Sequence, residues 1–165
     1  MAQFLDIPGI PGESSHDLNP NWNQKIQIET INYDASQRAS IQTGTGLTAA
    51  GASMSHISIT KAMDKSTPML FFNLCAGTPI PSMTLRRTRS SGSEGVYEDL
   101  TITLSNVLVT SYHTSGDRGG GNIPMESISL SVGAITETYD NRQNGQRIGM
   151  VRGGHDFQQG IATQV

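Results

Sequence analysis

Apolar and polar residues alternate along most of this chain, the two-residue period of a strand with one covered face. The cleanest stretch is 125–139, where Ile128, Leu130 and Val132 fall on one side and Ser127, Ser129 and Ser131 on the other. Gly133 allows a bulge before Ile135. Residues 55–63 alternate through Ile57 and Ile59. Residues 25–34 alternate through Ile26, Ile28, Ile31 and Tyr33, with a slip that predicts a bulge at Glu29 and Thr30. Shorter strands are predicted at 3–7, 80–89 and 148–152. Residues 96–105 and 107–114 read as a pair of strands, or as one long strand broken near Asn106. Breakers separate these runs. Pro8, Gly9, Pro11, Gly12 and Pro20 make a loop of 8–23. A Gly/Ala/Thr-rich segment at 43–53 reads as a mobile loop, with turns at 90–95, 116–122 and 140–145. The tail 153–165 carries no clear pattern.

One segment has the helical period instead. Leu70, Phe71, Leu74 and Cys75 share a face, so Leu70, Phe71 and Leu74 are the expected contacts to the core. Ser66 or Thr67 can cap its start, and Pro68 suits the first turn. Asp64 puts negative charge near the positive end of the helix dipole. Gly77 can close the last turn in the left-handed conformation, and Pro79 stops continuation. Regularly spaced strands plus this one helix predict a mainly β chain, an antiparallel sandwich or barrel. No internal repeat or linker divides it, so 1–165 reads as one domain.

Composition narrows the chemistry. Of 165 residues 35% are hydrophobic but only 5% aromatic, so Ile, Leu, Val and Met must build the core. The formal charge of −3 argues against nucleic acid as a partner, and Arg86, Arg87 and Arg89 read as a solvated strand face. Cys75 stands alone, which rules out an intrachain disulfide, and its place on the apolar face predicts a small buried side chain. The first residues lack a basic region and a long apolar run, so no signal peptide is expected, and no stretch is long enough to insert in a membrane.

Reaction centres fail on spacing. The run from Gly44 through Gly46 to Gly51 has Ala49 where a dinucleotide loop needs its third glycine, and no helix follows. The histidines at 16, 56, 113 and 155 and the single cysteine give no metal-ligand spacing. His155 and Asp156 could serve a serine hydrolase, but adjacent strand residues diverge and no nucleophile elbow exists. The same divergence separates Glu98 from Asp99. The Arg-Gly-Gly pieces at 117–121 and 152–154 read as turns. No catalytic residue, metal or cofactor is assigned.

A block of motifs does carry a resemblance. Ser58, Thr60, Lys61, Asp64, Lys65, Ser66, Thr67, Pro68 and Leu70, followed by Gly77, are similar to the signature of the haemolysin-coregulated protein (Hcp) family, the tube proteins of bacterial type VI secretion. Gly12, Glu13 and Ser14 resemble the family's early Gly-Glu-Ser, residues 100–111 its long central strand pair, and 126–132 with Thr138 and Tyr139 its late strand. Beyond Asn141 the sequence departs from the pattern.

The resemblance implies a two-sheet antiparallel β-barrel, Hcp-like and tail-tube-like, with the short helix on its side. It implies homo-hexameric rings that stack into a tube, with the spike protein, the sheath and secreted effectors as partners. The subunit would assemble in the cytoplasm and leave the cell without a signal peptide, carrying effectors in its channel. Thr30, Asn32, Asp34 and Ser36 would face the channel, with Ile31 and Tyr33 packed inward. The loop holding Gln42, Gly44, Gly46, Leu47 and Gly51 would reach toward the next ring. A phage-type tail-tube or other assembly protein is the first rival, and a hydrolase built on His155 and Asp156 the second.

Overall fold

A computed structural model describes residues 1–15, 20–42, 46–91, 95–116, 123–143 and 146–164. The strands are β1 (Gln3–Asp6), β2 (Ile26–Ile28), β3 (Thr30–Asn32), β4 (Ala35–Gln42), β5 (Gly46–Met54), β6 (Ile57–Ala62), β7 (Ile80–Ser91), β8 (Gly95–Ser115), β9 (Met125–Gln143), β10 (Gln146–Asp156) and β11 (Ile161–Gln164). The helix α1 is Thr67–Ala76. All pairings are antiparallel.

The order of pairing explains the barrel. β1 pairs with β7, β7 with β8, β8 with β9, and β9 with β6. β6 pairs with β3, and β3 continues β2, which returns to β1. The circuit turns at Glu29, whose N–H donates to Thr60 O at 2.9 Å. The slip in the sequence is therefore the point where one strand exchanges partners. Inward positions on these strands, among them Ile26, Ile57, Met83, Ile102, Val107 and Ile128, are almost wholly buried and form one apolar core. β9 serves two neighbours along one edge. Its first half pairs with β6 inside the circuit, while residues 134–143 pair with β10, and β10 with β11. These last strands form a wing outside the barrel.

Local structure differs from expectation in several places. Residues 46–53, expected as part of a mobile loop, belong to strand β5, which pairs with β4, while 43–45, including Gly44, lie outside the described residues. Of the two readings of 96–114, the structure takes the second: β8 is one long strand, and Asn106 at φ 51° marks the break in it. β9 runs through 140–143, where Asp140 pairs with Arg142 and Arg147 at 3.3 and 2.8 Å, so polar residues that read as a turn stabilise an exposed strand. The unpatterned tail supplies the end of β10 and all of β11.

The helix ends as its sequence requires and begins differently. Gly77 adopts φ 61°, donates to Leu74 O at 3.2 Å, and lets Thr78 N reach Asn73 O at 3.2 Å. Ser66 occupies the capping position without a side-chain cap, because its hydroxyl donates to the Asp64 carboxylate. Leu70 is buried and Leu74 half-buried, but Phe71 and Cys75 are exposed. The helix is apolar nearly all round, so sequence spacing alone does not select the side that meets the barrel.

Candidate functional site

The block that carries the family signature folds into a buried polar latch beneath α1. Lys61 sits on an inward position of β6, completely buried. Its ammonium donates to Asp64 Oδ1 at 2.7 Å, to Glu126 Oε2 at 2.9 Å and to the Ala62 carbonyl at 2.9 Å. Glu126, on the adjacent strand, also accepts from Thr67 Oγ1 at 3.0 Å and from the Tyr112 hydroxyl at 2.7 Å. Asp64 accepts the Ser66 N–H at 2.9 Å. One ammonium thus ties the first turn of the helix to β6, β8 and β9. The early motif joins the same corner. Glu13 Oε1 accepts the Lys65 N–H at 3.1 Å, and Ser14 exchanges backbone bonds with Gln24 and Lys25. Gly12 has no alternative there, since a Cβ would lie 2.2 Å from the Lys25 carbonyl oxygen. Sequence reasoning missed the role of Lys61 and Glu126. The signal was present: each takes the inward phase at one end of an apolar stripe, Ile57–Ile59–Lys61 and Glu126–Ile128–Leu130.

The opposite face of the same strands is different. Across β3, β6, β9 and β8 the outward positions form two rows, Thr30–Thr60–Ser127–His113 and Asn32–Ser58–Ser129–Ser111. These rows hold no Lys, Arg, Asp or Glu. The hydroxyls bond to one another and to the backbone, as in Thr30–Thr60 and Thr110 to Ser129 O at 3.1 Å. Thr30, Asn32, Asp34 and Ser36 are all exposed, while Ile31 and Tyr33 are half-buried against the core. Asp34 accepts a hydrogen bond from Ser55, and Ser36 meets Ser53 at 3.3 Å. The arginine cluster lies elsewhere and is largely neutralised: Arg87 grips buried Asp99 with two bonds of 3.0 Å, and Arg86 meets Glu98 at 3.3 Å.

An apolar groove of about 440 Å³ opens between the base of the hairpin and the wing, with Tyr33, Met54, Tyr139, Val151 and Phe157 among its walls. The Tyr33 hydroxyl donates to Glu137 there. Burial, then that carboxylate, pushes the Tyr33 phenol above its ordinary value of 10.0, and burial followed by Glu126 does the same to Tyr112. A phenol whose pKa is higher in the fold than in the open chain stabilises fully below pH 10. That stabilisation is lost as pH rises beyond it. The unfolding free energy should therefore fall above about pH 10, by at most about 1.4 kcal/mol per pH unit for each tyrosine. Denaturant titrations from about pH 8 to 11 should show a shallower fall in Tyr33→Phe; an unchanged slope would remove Tyr33 from this account. His155 also lines the groove, but Asp156 does not orient it. The Asp156 carboxylate accepts the N–H groups of Gln158 and Gln159 at 2.9 and 3.0 Å, and the His155 ring meets Phe157 edge-on at 4.8 Å. The dyad needed by a hydrolase is not formed. Among the described residues no cluster of His, Cys, Asp and Glu could hold a metal ion, and no helix is long and apolar enough to cross a membrane.

Comparison with known proteins agrees with this geometry. Residues 4–139 match the family described as "Type VI secretion system effector, Hcp". Protein hcp1 of Pseudomonas aeruginosa is 37% identical over 83 residues, and that alignment spans about half the length of each chain. The fold is similar to the crystal structure of Hcp1 from Salmonella typhimurium, with 23% identity, TM-score 0.78 and 98% of each chain covered. It is also similar to a type VI secretion system effector from Yersinia pestis, with 25% identity and TM-score 0.72, covering 93% of this chain and 98% of that one.

Proposed function

Since this chain belongs to the Hcp family of type VI secretion proteins, we propose that it is the repeating subunit of the secretion tube, closing into six-membered rings that stack and travel out of the cell with effectors inside. The role is structural, with no bond made or broken. The observation that carries the reading is the face spanning β3, β6, β9 and β8, half-buried at its centre and exposed at its margins, hydroxyl-rich and free of Lys, Arg, Asp and Glu in its two rows. The two rows offer passing cargo hydrogen bonds without ionic groups, and the Asp34 carboxylate stands outside them at the margin. Thr30, Asn32, Asp34 and Ser36 line this face along one margin. The hairpin that holds Gln42, Gly46, Leu47 and Gly51 projects from that margin and reaches the next ring. Sheath, spike and effectors are the further partners.

A closed head-to-tail contact gives a ring, and a second, open one gives a tube. Native mass spectrometry tests the first. Six copies of 17.7 kDa should appear as a species of about 106 kDa. A lone 17.7 kDa protomer at every concentration would overturn the reading.

A further inference from the structure

The groove between the hairpin base and the wing holds a carboxylate that no cation meets. Ile135, Glu137 and Tyr139 carry the inward face of β9 beyond the barrel, and His155, Gly153 and Val151 of β10 pair opposite them in that order. Glu137 thus interrupts a stripe that is otherwise apolar, and its Oε1 accepts the Tyr33 hydroxyl. Among the described residues no Lys, Arg or His forms an ion pair with it. The charge of Arg87 reaches Tyr33, but its guanidinium is held by Asp99 through two bonds of 3.0 Å.

Space opens directly across from that carboxylate. Gly153 is its partner in the ladder, and a Cβ there would meet nothing within 4 Å. Val151 and His155, two residues to either side, present their side chains on the same face, so the glycine leaves a gap between them. The walls are uncovered: Tyr139 is 41% and Val151 60% exposed. The volume of about 440 Å³ falls within the ~300–1,000 Å³ of small-molecule sites.

We propose that this groove binds a small organic cation with an apolar body, its ammonium on Glu137 and its hydrocarbon or ring against Tyr139, Val151 and Phe157. Charge selects this class. A neutral apolar guest would strip water from the Glu137 carboxylate and put nothing in its place. An anion would be repelled by it. A metal ion such as calcium needs six or more oxygen ligands, and the groove offers one carboxylate among apolar walls. An alkylammonium satisfies both parts of the site. It donates to the carboxylate lone pairs that Tyr33 leaves open, and the aromatic walls attract its charge as well as its methylene groups. All the walls come from one chain, so this inference stands apart from the ring reading.

Three probes with one skeleton test it: phenylpropylammonium, phenylpropanol and phenylpropanoate, each titrated at neutral pH and followed by ligand-observed NMR. The ammonium should bind about tenfold more tightly than the alcohol, the gain from one charge-assisted hydrogen bond, and the carboxylate more weakly than either. Glu137→Gln keeps the shape and an acceptor for Tyr33, and should remove the advantage of the ammonium over the alcohol. Gly153→Leu fills the gap without a clash, and should weaken both. Fluorescence of buried Trp22, the single tryptophan, reports that the barrel of each variant is intact. An alcohol that binds as well as the ammonium, or an ammonium that keeps its lead in Glu137→Gln, overturns the inference. So does binding that Gly153→Leu leaves unchanged, or a wild type to which none of the three probes binds.

Discussion

Lys61→Met should lower the unfolding free energy by about 3 kcal/mol or more, the range for breaking a buried ion pair by removing one partner. The substitution fills the space of the aliphatic stem, so packing changes little. What changes is that the Glu126 and Asp64 carboxylates, which share one ammonium at 2.9 and 2.7 Å, lose it together. Glu126 is buried and cannot turn to water. It keeps hydrogen bonds from Tyr112 and Thr67, which holds the effect toward the lower end of the range. Guanidinium titration followed through Trp22 fluorescence measures it. A double variant, Lys61→Met with Glu126→Gln, should recover part of the loss, because the orphaned charge is then gone. A single variant within about 0.5 kcal/mol of wild type, the size of an ordinary surface substitution, would show that the latch does not anchor α1.

That latch also marks where sequence was legible. The strands around it declared themselves because one side of each is covered: Ile57 and Ile59 on β6, and Ile128 and Leu130 on β9, repeat at two and pair across the ladder. The family block was legible as a resemblance, and the structure supplies its physics, since Lys61, Asp64, Ser66 and Thr67 are bonded to one another or to Glu126. The hairpin was not legible. Alternation breaks at the bulge beside Gly51, and alanine gives a weak pattern on either side. Residues 140–143 failed for another reason: Asp140 and its arginines satisfy one another on an exposed strand, where no apolar stripe announces the fold. Strand extensions outside a core carry little periodicity because neither face must be dry.

Leu70→Asp should abolish the folded state, while Phe71→Asp, one residue on, should be tolerated. The two looked alike in sequence, and the structure separates them. Leu70 is 1% exposed, packed with the barrel core, so an aspartate there would bury a carboxylate among apolar side chains with no cation assigned to it. Phe71 is 51% exposed, and its ring meets Tyr112 edge-on at 5.6 Å. Losing that contact costs about 0.5–1.5 kcal/mol. Because an unfolded Leu70→Asp gives no transition to measure, Leu70→Ala supplies the graded test. It should fold and lose about 2–5 kcal/mol, since the cavity beneath a clamped helix collapses poorly. Circular dichroism melts on the three variants decide the matter. If Phe71→Asp fell as far as Leu70→Ala, the helix would be rotated from the position found, with Phe71 toward the core. The latch constrains that rotation: Thr67 Oγ1 bonded to Glu126 fixes the first turn, and Leu70, three residues later, is thereby placed over the barrel.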